Sequence, residues 1–188
     1  MSVSRRWTVA DLEQMETKET ERYEILDGEL IVTHAPNWRH QFSCGELHTA
    51  LGQWNAVLRS GAVMEVPGLV FDGENAVIPD LIWVSWSRLQ AVQDSAGHLT
   101  HGPELVVEAL SPGARNERRD RETKLALYAR EGVDEYWVVD WQRRIVEMYR
   151  RLGDTLELVA TVGGEGVLET PLLSGFSVPV ARIWPPAL

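Results

Sequence analysis

Two acidic residues stand in apolar surroundings where a charge needs a partner. Asp80 follows Val77-Ile78-Pro79 and precedes Leu81-Ile82-Trp83-Val84, and Glu108 lies between Leu105-Val106-Val107 and Ala109-Leu110. Both runs have the length and composition of short buried strands. An unpaired carboxylate in such a strand costs on the order of several kcal/mol in desolvation, so something must compensate it. If the two strands are neighbours, both carboxylates reach one sheet edge, where hard oxygen donors suit Mg²⁺ or Mn²⁺. Each residue alone also has a structural reading. An Asp after Pro caps a turn, and a strand Glu pairs with an Arg on a neighbour. It is the pair that points to metal chemistry.

A cation follows downstream. After Ser111-Pro112-Gly113 a charged stretch, Arg115 to Glu122, runs into TKLALYAREG, which has helical composition and ends with Gly132 at a C′ position. Lys124 shares a helical face with Leu127 and Tyr128, three and four residues on, which should pack on the sheet. Its long stem can carry the ammonium across apolar surface to the carboxylates, or can snorkel outward to water. Arg115, Arg118, Arg119 and Arg121 gather just before it and are candidates to face phosphates. They alternate with Glu117, Asp120 and Glu122, which is equally the pattern of a solvated charged face.

The elements that must position these groups are marked by punctuation. Thr8 and Asp11 form a capping-box-like start for a short helix through Met15. Tyr23–Leu26 and Glu29–Val32 flank Asp27-Gly28, a strong hairpin signal. Glu24 in that hairpin is a supporting acid at best, since hairpin glutamates are usually solvated. From His40 to Leu58, Leu47, Leu51, Trp54 and Leu58 fall on one helical stripe that should lie on the sheet. His40 shares the stripe, where a packed, hydrogen-bonded histidine is commoner than a catalytic one. Strands are expected at 63–71, 77–84, around Glu108, at 135–140 and at 145–149, with a short helix at 86–93 and further short strands towards the C-terminus.

With 188 residues, 44% of them hydrophobic, the chain suits a single domain over 1–188. No apolar run approaches the length of a membrane span and the N-terminus lacks a secretory core, so a cytoplasmic protein without a membrane partner is expected. Cys44, the lone cysteine, reads as a buried spectator thiol. The eight tryptophans read as core and interface filling. Against 28 acidic residues stand 18 basic ones, a formal charge of −10. The balance opposes long-range attraction to a polyanion, and leaves contact with nucleic acid to local clusters.

Taken in order, a Pro-Asp strand, a Glu strand ending in Ser-Pro, a Lys-bearing helix and the phrase GVDEYWVVD resemble the Uma-two family of restriction endonucleases, within the PD-(D/E)XK nuclease superfamily. YEILDGELIV, APNWRHQ, PDLIWVS, PELVVEALSP and PLLSGFSVPVARIW extend the resemblance over nearly the whole chain. It implies an α/β (α+β) fold with a restriction-endonuclease-like αβββαβ core. A central mixed sheet is flanked by helices, with an N-terminal hairpin and short C-terminal strands added. It implies a divalent metal, Mg²⁺ or Mn²⁺, on Asp80, Glu108 and the Ala109 backbone carbonyl, serving phosphodiester hydrolysis. The superfamily pattern wants Lys two residues after the acid, but Ala109 and Leu110 follow Glu108 here. Lys124 matches the lysine moved to the next helix, where it would polarise water and offset phosphate charge. Tyr128 resembles the tyrosine of a Gln-x-x-x-Tyr motif, with Lys124 in place of the Gln. Three functions stay open: a metal-dependent nuclease acting alone or as a homodimer, a catalytically lapsed nuclease fold that binds a partner or nucleic acid, and a glycosidase-like carboxylate-pair hydrolase, which needs an aromatic-lined cleft and no metal.

Overall fold

Asp27 and Gly28 both have positive φ, +48° and +77°, as a two-residue type I′ turn requires. They join β1 (Glu21–Leu26) to β2 (Glu29–His34) in a hairpin that keeps its register from Leu26 opposite Glu29 to Glu21 opposite His34. The structure, a computed structural model, describes residues 5–187. Before the hairpin comes α1 (Val9–Gln14), whose cap residue Thr8 and Asp11 bond reciprocally in a capping box. After it, α2 (Trp38–Leu58) starts at Asn37, whose side chain accepts the Arg39 N–H.

Next come β3 (Gly61–Glu65), β4 (Leu69–Asp72), β5 (Asn75–Val77), β6 (Leu81–Ser85), α3 (Trp86–Val92) and β7 (Leu105–Ala109). A helical passage follows: α4 (Ala114–Arg118), a π-helical segment (Arg119–Lys124) and α5 (Leu125–Arg130). The chain then forms β8 (Glu135–Asp140), β9 (Ile145–Leu152), β10 (Thr155–Gly163), β11 (Val167–Glu169) and β12 (Ser177–Pro179).

Six strands make a mixed sheet in the order β10-β9-β8-β7-β6-β3. β7 and β8 run parallel, and the helical passage is the crossover that a parallel pair needs. Both strands are buried along their whole length because each face of the sheet is covered. Leu47 and Leu51 of α2 pack on one face with Trp137, Phe176 and Ile183. Leu127 and Tyr128 of α5 pack on the other with Val106, Leu110 and Val138. The order α2, β3, β6, β7, helical passage, β8 is the expected αβββαβ core. Between β3 and β6 the chain leaves this sheet, and β4 and β5 join the hairpin in a second sheet ordered β2-β1-β5-β4.

Three expectations are corrected. Residues 63–71 are not one strand: β3 ends at Glu65, Val66 turns with φ +46°, and β4 begins in the other sheet. Residues 77–84 divide at Ile78-Pro79-Asp80, where proline has no N–H for a ladder. Leu58 closes α2 and is 52% exposed, whereas Leu47 and Leu51 on the same stripe are fully buried. Among the described residues no helix is long and apolar enough to cross a membrane.

Candidate active site

The antiparallel register of β6 and β7 pairs Leu81 with Val107 and Ile82 with Val106, and one further step sets Asp80 opposite Glu108. Asp80 follows the strand break at Pro79; its carbonyl accepts the Val66 N–H at 3.1 Å, and its carboxylate turns toward β7. There its Oδ2 accepts the Ala109 N–H at 2.9 Å. The same oxygen lies 3.1 Å from Nε2 of His40 on α2, and Oδ1 accepts from Nη1 of Arg22 on β1 at 3.1 Å. Glu108 accepts two hydrogen bonds on one oxygen, Oε1: from Lys124 Nζ at 2.7 Å and from the Tyr128 hydroxyl at 2.8 Å. Lys124 also donates to Glu24 Oε1 at 2.9 Å, and that oxygen accepts the Ile78 N–H at 2.9 Å. Four elements thus converge: β1 with Arg22 and Glu24, α2 with His40, the β6–β7 pair with the two acids, and the helical passage with Lys124.

Both acids are nearly enclosed, Asp80 at 6% and Glu108 at 4% exposure, yet both line a cleft of about 640 Å³. Arg22, Glu24, His40, Ala109, Arg119 and Lys124 line it too. Tyr128 lies behind Glu108, fully buried, and meets the site through its hydroxyl. Lys124 is not a snorkelling surface residue; at 2% exposure its ammonium is held between Glu24 and Glu108. Glu24, at 2% exposure, is likewise not the solvated hairpin acid that its sequence context suggests.

Burial drives the electrostatics. It raises Glu108 to about 8, the Lys124 ammonium pulling the other way and the charges of Asp80, Asp120 and Glu24 adding to the rise. Burial also acts to raise Asp80, but the hydrogen bond and charge of His40, the Ala109 N–H and Arg22 outweigh it and hold Asp80 at about 2. His40 is the mirror image: burial disfavours its imidazolium, and Asp80 overcomes this, so its pKa is raised. Lys124 is raised as well, because Glu108, Glu24 and Asp120 outweigh its desolvation. It is an ammonium at any physiological pH and no proton acceptor. Cys44, beside His40 Nδ1 at 3.7 Å, is pushed well up by burial and stays a thiol. His40, Cys44 and Asp80 place ligand atoms within 4.8 Å of one another, a grouping not read from the sequence.

The four arginines do not share one surface. Arg115, Arg118 and Arg119 line a groove of about 530 Å³ against β2, and Arg119 also reaches the cleft. Arg121 turns to Glu117, Asp140 and Glu147, at 2.8–3.1 Å. Sequence reasoning missed two residues of the site. Arg22 stands two before Glu24, on the same face of β1 by the strand period. Asp120 stands four before Lys124, lines the cleft, is 1% exposed and holds Arg119 at 2.9 Å. Both signals were present, but each charge sat among other charges that read as solvated.

A family model, Uma2, described as "Putative restriction endonuclease", matches residues 9–181. Among solved structures, the chain is similar to a nuclease-like protein belonging to DUF820 from Anabaena variabilis ATCC 29413. The TM-score is 0.74 and the identity 16%, over 94% of this chain and 97% of that one. At that identity the likeness establishes the fold. The type IIG restriction endonuclease BpuSI is similar at a TM-score of 0.39 and 14% identity, over 77% of this chain and 14% of that one, too slight a match to argue from. No curated protein matches the chain.

Proposed function

The chain belongs to the Uma2 family, and on that premise we propose that it is a nuclease that hydrolyses phosphodiester bonds with Mg²⁺ or Mn²⁺ held by Asp80 and Glu108. The observation that carries this reading is the facing of Asp80 and Glu108 across β6 and β7 in one cleft, with Lys124 Nζ 2.7 Å from Glu108. The donor set fits a hard cation. Both hydrogen bonds to Glu108 fall on Oε1, which leaves Oε2 for a further partner. The Ala109 carbonyl is the proposed third ligand. Asp80 would exchange its contacts with His40 and Arg22 for the ion, which replaces their positive charge with its own.

When bound, the ion supplies an acidified water and charge stabilisation on the departing oxygen. The chain's own groups do the rest. Lys124, permanently charged, orients the attacking water and offsets phosphate charge at the cleft floor. Glu24 holds Lys124 from the far side, and Tyr128 fixes the Glu108 carboxylate. His40, freed from Asp80 by the ion, lines the same cleft and is the group placed there to exchange a proton with a leaving group. The reading takes residues 1–188 as one nuclease domain working in the cytoplasm, alone or as a homodimer.

A second reading, a lapsed nuclease fold that binds a partner, is favoured by the degree to which Asp80 and Glu108 are neutralised by the chain's own cations. One experiment separates the two. Purified protein is incubated with labelled DNA and RNA oligonucleotides while Mn²⁺ is titrated. Mn²⁺-dependent cleavage is expected, falling about a hundredfold or more in Asp80→Asn and Glu108→Gln. Thermal melting in parallel should show Mn²⁺ stabilising the wild type but not Asp80→Asn. A wild type that neither cleaves nor shifts its melting temperature with Mn²⁺ leaves the binding-module reading.

A further inference from the structure

Arg119 and Thr33 wall both the cleft that holds the acids and the separate groove between β2 and the helical passage. The two concavities therefore adjoin at Arg119 and Thr33. We propose that an unpaired polynucleotide strand runs along this groove, passes Arg119 as the phosphate contact at the junction, and so reaches Asp80 and Glu108. The proposal rests on the nuclease reading and names its substrate as single-stranded nucleic acid.

Three observations support a strand over a duplex. The acids lie at the floor of a concave cleft, at 6% and 4% exposure, whereas a duplex presents its phosphates on a stiff convex surface. A single strand can bend down to such a floor. The groove combines Arg115 and Arg118 with the apolar Leu30, Ile31 and Val32 of β2, so charge for phosphates stands beside apolar wall for sugars and bases. The cleft lining also includes the aromatic side chains of Tyr23 and His34, of the kind on which unpaired bases stack.

The groove's charges are also available. Arg115 pairs with Glu29 and Arg118 with Glu122 in exposed ion pairs, which bind weakly and exchange readily for phosphate. Arg119 differs, being largely buried and oriented by Asp120 at 2.9 Å and by Asn116 at 3.5 Å. Asp120 is then a positioning residue for this arginine. The strongly acidic chain opposes long-range capture, so a polyanion is better held along a locally lined track.

The test measures binding and cleavage separately. Fluorescence anisotropy without metal reads the binding of labelled single-stranded DNA, single-stranded RNA and a DNA duplex. The proteins are wild type, Arg115→Gln/Arg118→Gln, Arg119→Gln, and Arg182→Gln as a charge control outside the groove. Expected is tighter binding of single strands than of duplex. Both groove variants should weaken single-strand binding at least about fivefold, with a salt slope lower by about 0.7 for each phosphate no longer neutralised, and Arg182→Gln should be unchanged. The DNA and RNA arms tell which strand fits better. Arg115 and Arg118 are exposed, so loss of fold does not mask their result. Single-strand binding equal to wild type in the double variant, or tighter binding of duplex, overturns the route. If Mn²⁺-dependent cleavage persists in that case, the nuclease reading stands without it. Absence of both binding and cleavage sinks the two together.

Discussion

Lys124 Nζ lies 2.7 Å from Glu108 and 2.9 Å from Glu24, and the three side chains are almost fully enclosed, so what the lysine holds can be weighed by removing it. Lys124→Ala leaves two buried carboxylates facing each other without a cation, a change that costs about 3–5 kcal/mol in comparable buried pairs. Glu108 offers partial relief. It already binds its proton up to about pH 8, and losing the ammonium pushes it higher still. At pH 6 Glu108 of the variant is then neutral, and the facing of two charges is relieved. We expect metal-free Lys124→Ala to lose several kcal/mol in urea unfolding at pH 8 and clearly less at pH 6. A variant within about 1 kcal/mol of wild type at both pH values behaves as a surface pair does, and the buried triad is then wrong.

At the scale of elements, the helical passage supplies what β7 lacks. Position 110, two after Glu108, shares its strand face by the two-residue period, and Leu110 packs there in one cluster with Leu127 and Tyr128. A lysine stem grown from that position would pass under α5 toward the Glu108 carboxylate. Leu110→Lys combined with Lys124→Ala should therefore regain part of the melting temperature and of the cleavage that Lys124→Ala loses. A double variant no better than the single on both measures means that the two positions do not serve one site. Which elements were legible follows from how local their signals are. The Asp27-Gly28 turn and the Thr8 cap are written in two to four residues, and they form as read. The strand at 63–71 misled because apolar residues stand on both sides of the Val66-Pro67-Gly68 turn, while the partner that claims each half lies elsewhere in the chain: β6 for β3 and β5 for β4. Arg22 and Asp120 escaped for a related reason. Burial of a charge is decided by which elements meet around it, and the hairpin meets the helical passage only in three dimensions.

For the whole molecule, the same buried groups set how stability follows pH. Glu108 rises from an ordinary 4.5 to about 8 on folding, and His40 and Asp120 are raised too. For a raised group the folded state holds more protons than the unfolded state between the two pKa values, so stability falls as pH climbs through that window. Asp80 works oppositely, but only at the acid end, between its ordinary 3.8 and about 2. The metal-free protein should thus be more stable at pH 5 than at pH 8, Glu108 alone contributing a slope approaching about 1.4 kcal/mol per pH unit. General charge repulsion acts in the same direction, since deprotonation adds to the existing excess in a chain of net charge −10. A divalent ion at Asp80 and Glu108 favours the ionised carboxylates and competes with protons, so saturating Mn²⁺ should flatten or invert the slope. Urea denaturation from pH 5 to 8, with and without Mn²⁺, reads both effects, and Glu108→Gln isolates the glutamate's share. If metal-free wild type shows no fall across that range, or Glu108→Gln falls as steeply as wild type, Glu108 is already ionised in the folded protein. The apo site would then be a settled ion pair with Lys124, in which a metal has no proton to displace.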